Sequence, residues 1–147
     1  MVSVKVKKLV EAAQVPRYAH VGMFGDLAAD LYACVGVTLA AAGEAGSTQA
    51  VATGIALEFP ATHGALVEDR SGLAVRGVTT LAGVIDPGFR GEIKVVMTFL
   101  GAQPVEIRAG DRIAQLRIVE RIEAEFVEVT ELGEAARGVG GFGSTGK

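Results

Sequence analysis

Tryptophan is absent from this 147-residue chain, cysteine occurs once, at Cys34, and Phe and Tyr together make up only 5% of the residues. A single cysteine allows no intramolecular disulfide and no four-cysteine metal site, and it suits a reducing compartment. Histidine is nearly as scarce. His20 and His63 stand far apart, without the carboxylate or cysteine spacing that marks a metal site or a triad. Ser3, Ser47, Ser71 and Ser144 sit in no GxSxG elbow. No apolar run approaches the roughly 20 residues of a membrane span. The alternating start, MVSVKVKKLV, lacks the solid apolar block of a secretory signal. An excess of positive charge is also missing: Lys and Arg number 14 against 17 Asp and Glu, for a net charge of -3. Non-specific nucleic-acid binders show a basic face instead. These absences predict a soluble, cytoplasmic protein with neither a membrane nor a nucleic-acid partner.

What is present points to a packed β protein. Half of the residues are hydrophobic and 21% are charged, which excludes a disordered chain. A single domain of this length buries roughly 68–70% of its unfolded surface and needs no disulfide or metal to form a core. Glycine and valine occur twenty times each. Short β-branched runs punctuated by Gly, Pro and Asp predict an all-β architecture.

Val2, Val4 and Val6 alternate with Ser3, Lys5 and Lys7, the period of a half-buried strand. Asp26 to Val37 reads as a short helix or a strand, with Tyr32, Val35 and Val37 favouring the strand. Ala40 to Ser47 reads as a surface loop. Ile55, Leu57 and Phe59 mark a strand closed by Pro60. His63-Gly64 is expected to turn the chain, and Ala65 to Val67 to begin another strand. Val84-Ile85, the turn Asp86-Pro87-Gly88 and the run Ile93 to Phe99 predict a hairpin, since Pro presets φ and Gly accepts a positive one. Gly110-Asp111 is a second turn. Ile113 to Val119 and Ile122 to Val129 are further expected strands, and Glu131 to Arg137 a helical turn.

The last eleven residues, 137–147, contain five glycines, one Arg, one Phe and a Ser-Thr pair. Two readings remain open for them: a floppy terminus, or an arm that orders over a ligand. Glycine amides with hydroxyls make nests for phosphate oxygens, and Arg adds a charged fork. This is no Walker A loop, because GxxxxGK[ST] and a following helix are missing. The expected division is a packed β domain over 1–136 and a glycine-rich segment over 137–147. Of the aspartates, Asp111 in Gly-Asp-Arg reads as structural. Asp86, on its tight turn, is either a turn aspartate bonding its own backbone or a base.

Four segments in order carry a resemblance. They are Arg70-Ser71-Gly72-Leu73-Ala74, then Gly83-Val84-Ile85-Asp86 with Phe89-Arg90-Gly91-Glu92-Ile93, then Gly110-Asp111-Arg112-Ile113-Ala114-Gln115-Leu116, then Arg137 with Gly141-Phe142-Gly143-Ser144-Thr145-Gly146. Together they resemble the second to fifth motifs of the homotrimeric dUTPases. Thr53-Gly54-Ile55-Ala56 resembles the strand before the second motif, and Asp30-Leu31-Tyr32-Ala33 the end of the first. The resemblance implies a β jelly roll with three active sites at the subunit interfaces of a homotrimer. It implies hydrolysis of dUTP to dUMP and pyrophosphate with Mg²⁺, keeping uracil out of DNA and supplying dUMP for thymidylate synthesis.

By matched position, Asp86 would deprotonate the attacking water, Val84 and Ile85 would read the uracil edge, and Phe89 would pack under the deoxyribose. Arg70, Ser71, Gly72 and Gln115 would hold phosphates, with Thr80 and Lys94 counted among the substrate-binding positions. From the arm, Phe142 would cover the uracil, while Arg137, Gly143, Ser144 and Thr145 would hold the distal phosphates. Asp30 would approach the metal through water.

Three departures stand out. Leu27-Ala28-Ala29 precede Asp30 where the family has Ala-Gly-aromatic. Asp69 replaces the usual Pro before Arg70 and is a carboxylate able to pair with it. Phe89 replaces Tyr. The sister enzyme dCTP deaminase, which shares the fold, resembles Ile85 to Phe89 but needs a Glu ten residues after the Asp, where this chain has Val96. A non-catalytic nucleotide-binding regulator is the other alternative.

Overall fold

A computed structural model describes residues 1–135 and residue 138. Its strands are β1 (Lys5–Lys8), β2 (Ala29–Tyr32), β3 (Val37–Leu39), β4 (Thr48–Glu58), β5 (His63–Glu68), β6 (Val78–Leu81), β7 (Val84–Ile85), β8 (Glu92–Phe99), β9 (Val105–Ile107) and β10 (Arg112–Glu120), with one helical turn, α1 (Ser71–Ala74). Two four-stranded sheets, β1-β4-β8-β6 and β2-β10-β5-β7, are joined by the small pair β3-β9, and every pairing is antiparallel. This is the jelly roll that the resemblance implied.

Alternation builds the core. In β8, Ile93, Val95, Met97 and Phe99 point inward while Glu92 and Lys94 do not. They meet Ile55 of the neighbouring β4 and Leu31, Ile113 and Leu116 of the other sheet in one apolar cluster. A sheet face buried this way gains roughly 25 cal/mol for each Å² of apolar surface removed from water. The β4–β8 register breaks between Ala52 and Ala56, and side chains satisfy the break. The buried Thr53 hydroxyl donates to the Ile93 carbonyl, and the Gly54 amide donates to Glu92 Oε1 at 2.9 Å.

Four expectations need correction. His63 and Gly64 lie inside β5, paired with Glu120 and Val119. The arms flanking Asp86-Pro87-Gly88 do not pair with each other: β7 pairs with β5, and β8 with β4 and β6. That turn therefore carries the chain from one sheet to the other. Ile122 to Val129 form no strand: all of them are exposed, Phe126 by 95%, so no buried face holds them to a sheet. Glu131 to Ala135 form no helical turn, and Ala136 and Arg137 lie outside the described residues. The expected loop over 40–47 is present, and Asp26 to Val37 supplies β2 and the start of β3.

Two residues, Ala82 and Gly83, separate β6 from β7. Ala82 adopts φ 52°, a conformation an L-residue avoids. The Gly83 carbonyl accepts from the Val67 amide at 2.8 Å, and a Cβ on Gly83 would collide with the Val67 carbonyl oxygen. Glycine is required there by close backbone approach. Gly83→Ala should therefore force β7 away from β5 and destabilise the protein by about 1–3 kcal/mol. Thermal unfolding should show a melting point lower by about 2–4 °C per kcal/mol; an unchanged melting point would refute the close-packing account.

Candidate active site

The β2-β10-β5-β7 sheet carries Asp30, Gln115, Val84 and Ile85. Asp30 sits on β2 with its side chain only 12% exposed, and two guanidinium groups face it. Arg70 Nε donates to Asp30 Oδ1 at 2.9 Å, and Arg112 Nη1 to Oδ2 at 3.4 Å. The Arg17 and Asp30 backbones also bridge, with the Asp30 amide donating to the Arg17 carbonyl at 2.8 Å. One carboxylate thus ties β2, β10 and the turn before α1 together. The cluster keeps one positive charge in excess.

Asp69 does not pair with Arg70, contrary to the expectation. Its Oδ1 accepts from the Thr80 amide at 2.6 Å and the Thr80 hydroxyl at 2.7 Å, and its Oδ2 accepts from the Thr79 hydroxyl at 2.7 Å. Burial works to raise the Asp69 pKa, but the bonds from Thr79 and Thr80 outweigh it, and the carboxyl is held below its ordinary value. This leaves Arg70 free of Asp69 and joined to Asp30. The Asp69 carbonyl in turn accepts from Gln115 Nε2 at 3.2 Å.

Beyond Asp69 the chain makes its one helical turn, α1. The amides of Ser71 and Gly72 open it, and a first turn has no preceding carbonyls to bond them. Ser71 and Gly72 are exposed. Arg70 and its neighbour Ser71, together with the sequence-distant Gln115, line one pocket of about 330 Å³ with Asp30 and Arg112. Three of the phosphate candidates are therefore brought together, and Gly72 adjoins them. Thr80 instead spends its hydroxyl on Asp69, and Lys94 lies in the other sheet, 3.7 Å from Glu92.

Val84, Ile85, Asp86 and Phe89 gather elsewhere. Val84 and Asp86 are exposed and Ile85 is half-buried. The Phe89 amide donates to the Asp86 carbonyl at 3.1 Å, and Arg90 Nη1 braces the turn through the Pro87 and Phe89 carbonyls at 2.7 and 2.9 Å. The Phe89 ring folds over Gly91, where a Cβ would stand 2.7 Å from Phe89 Cζ. Ile85 pairs with Ala65, while Gln115 pairs with Glu68. Three residues along β5 and two strand spacings across the sheet separate Ile85 from Gln115 by roughly 14 Å. Within one chain, then, the carboxylate at 86 and the phosphate pocket stand apart. Arg137, Phe142, Gly143, Ser144 and Thr145 lie outside the described residues.

Three pocket residues carry no role in the sequence reading: His20, Asp26 and Arg112. A His and an Asp closing a segment that holds Gly22 and Gly25 was the available signal for the first two. For Arg112 the signal was its place beside a turn aspartate. Asp111 is a turn residue as expected, its Oδ2 accepting from the Arg108 amide at 2.8 Å.

The dUTPase family model matches residues 20–146 of the chain. A deoxyuridine 5'-triphosphate nucleotidohydrolase of Thermobifida fusca is 47% identical over 150 residues, covering 99% of this chain and 79% of that protein. Among solved structures, a mutant dUTPase of Staphylococcus bacteriophage 80alpha with dUpNHpp is similar at TM-score 0.82, with 22% identity and 99% of each chain covered. A mutant dUTPase from phage phi11 of S. aureus, described with a structural Mg(II) ion, is similar at TM-score 0.77 and 21% identity, covering 88% of this chain and 97% of that one.

Because hydrogen bonds lower the Asp69 pKa in the folded state, its contribution to stability is complete above the unfolded carboxyl value. It is lost as pH falls through the lower folded value. Asp69→Ala should cost about 1–3 kcal/mol at neutral pH. In urea titrations the gap to the parent protein should shrink as the pH is lowered below about 4. A gap that stays constant with pH would show that the carboxylate's charge plays no part.

Proposed function

The chain belongs to the dUTPase family, and from that membership we propose that it hydrolyses dUTP to dUMP and pyrophosphate, acting in the cytoplasm to keep uracil out of DNA and to supply dUMP for thymidylate synthesis. The observation that carries this reading is the convergence of Arg70, Ser71 and Gln115 on one pocket, with Arg112 beside them. Arg70 with its neighbour Ser71, and Gln115 from a distant strand, offer a guanidinium, a hydroxyl and a carboxamide to one anion. Hydrolysis of a triphosphate is mainly a matter of positioning and charge neutralisation, and such a pocket supplies both.

In this mechanism the phosphate chain lies against Arg70, Ser71, Gly72 and Gln115. Asp30 fixes the Arg70 guanidinium and does not contact the substrate. Asp86 accepts a proton from water, the new P–O bond forms, and the bond between the α- and β-phosphates breaks with pyrophosphate leaving. The backbone at Val84 and Ile85 reads the uracil edge, and the Phe89 ring packs against the sugar where a 2′-hydroxyl would not fit. Thr80 acts through Asp69, keeping the turn before Arg70 in place. Lys94 has no support from the pocket and is left outside this mechanism.

Magnesium enters as the complex with the triphosphate. Among the described residues no three His, Cys, Asp or Glu side chains gather as a cage, and both Asp30 oxygens face guanidinium groups. A cation that prefers phosphate oxygens and water suits this arrangement. Any contact from Asp30 would run through a water. The dCTP deaminase alternative gains nothing: Val96 lies within the sheet between Ala50 and Leu81, and no carboxylate is supplied at that place.

The active unit of this proposal is a homotrimer. The separation of Asp86 from the phosphate pocket within one chain supports sharing of sites between copies. So do the unpaired apolar residues of 122–132, among them Ile122, Phe126 and Leu132. The segment 137–147, with Phe142 for the base and Arg137, Gly143, Ser144 and Thr145 for the phosphates, completes the site as a closing arm.

Two measurements test this. Asp86→Asn should keep binding dUTP but lose a factor on the order of 10²–10⁴ in turnover, the scale of general-base catalysis. Near-parental pyrophosphate release would remove Asp86 from the mechanism. Deleting residues 137–147 should leave the light-scattering mass at three chains while hydrolysis collapses. A truncated trimer with full activity would reject the arm, and an active monomer would reject the shared site.

A further inference from the structure

The loop between Tyr18 and Ala28 forms a wall of the Arg70 pocket, and the mechanism above gives it no part. It closes on itself through two residues. The Asp26 amide donates to the His20 carbonyl at 3.0 Å, the His20 amide donates to Asp26 Oδ2 at 2.8 Å, and His20 Nδ1 lies 3.0 Å from Asp26 Oδ1. The His20 amide and then its ring hold the Asp26 carboxyl below its ordinary value, so this carboxylate stays charged. The Gly25 amide donates to the Gly22 carbonyl at 3.1 Å and tightens the same loop.

His20 and Asp26 both line the pocket with Asp30, Arg70, Ser71, Arg112 and Gln115. The imidazole is therefore fixed at its backbone and at Nδ1, while Nε2 has no partner among the described residues. A carboxylate at Nδ1 keeps the proton of the neutral ring on that nitrogen, which makes Nε2 an acceptor. In the cationic ring Nε2 becomes a donor. The charged groups facing this pocket are Asp26 from the loop, Asp30 from β2, Arg70 from the turn before α1 and Arg112 from β10. Asp30 is committed to both arginines, so the ring's second nitrogen is the atom of this wall that changes from acceptor to donor when the imidazole gains a proton.

We propose that His20 is a further substrate-binding residue, which in its protonated form donates from Nε2 to the phosphate chain held by Arg70, Ser71 and Gln115. The proposal rests on the nucleotide-hydrolase reading for its substrate. Affinity for the polyphosphate then follows protonation of the ring, and Asp26 acts as a positioning residue that sets the tautomer.

The test compares the parent protein with His20→Asn, measuring KM for magnesium dUTP from about pH 5.5 to 8.5. The substrate's own terminal phosphate titrates here too, but equally for both proteins, so the ratio of the two KM values isolates the side chain. That ratio should be roughly tenfold at the acid end, the size of one partly exposed charge-assisted hydrogen bond, and should approach one at the alkaline end. A ratio of one throughout, or a constant ratio at every pH, would overturn the proposal; the constant ratio would mean a structural role. Proton NMR on the unmodified protein gives a second readout, since the chain holds only two histidines. Inorganic tripolyphosphate added near pH 6 should move the His20 ring signals and leave those of His63 in place. Unmoved His20 signals would also overturn the proposal. Absence of any dUTP hydrolysis would instead reject the enzyme reading, and the tripolyphosphate experiment would still decide whether His20 meets phosphate.

Discussion

A single carboxylate organises the pocket. Asp30 faces Arg70 and Arg112 with its side chain almost entirely out of water. Removing one partner from a buried pair costs about 3–5 kcal/mol, because the other charge is left unsatisfied. Arg70 is therefore aimed before any ligand arrives, and less side-chain entropy is lost when a phosphate binds. Strand β2, strand β10 and the turn leading to α1 meet at this one point. Misplacing Asp30 would move Arg70, Ser71 and Gln115 out of common reach.

The rest of the molecule holds this pocket and keeps the turn at Asp86 apart from it. Regular alternation in β8 and β10 packs the two sheets against each other. The turn at Asp86 leaves that packing to cross between sheets, braced by the Arg90 guanidinium on two carbonyls. Both places are braced, with a gap between them within one chain, and on that gap the proposed sharing of sites between copies rests.

Much of this was legible in the sequence. The apolar alternation at Ile93 to Phe99 sets a strand and its inward face with no further information, and the ordered motifs around Arg70, Asp86 and Gln115 pointed to their family directly. What could not be read has physical causes. The partner of a short strand such as β7 is set by tertiary contacts, since Val84 and Ile85 carry no register information of their own. The apolar run from Ile122 to Val129 has strand character but is exposed throughout, and β propensity without a packed face makes no strand. Asp69 beside Arg70 suggests an ion pair by proximity in sequence. The structure turns its carboxylate toward Thr79 and Thr80, ten and eleven residues away, and leaves the guanidinium to Asp30 from another strand.

That arrangement at Asp69 has an evolutionary reading. A proline before Arg70 stiffens the backbone by its ring, whereas an aspartate stiffens it by borrowing a threonine amide and two hydroxyls. The two solutions are not interchangeable one residue at a time. An aspartate arriving without its threonines would be a half-buried charge with too few donors, and threonines left facing a proline would be hydroxyls without an acceptor. Lineages that hold aspartate here should retain hydroxyl residues at the places of Thr79 and Thr80, and those that hold proline should let them drift. Positions 69, 79 and 80 thus form one inherited unit, and a graft of the Arg70 segment between relatives would have to carry all three.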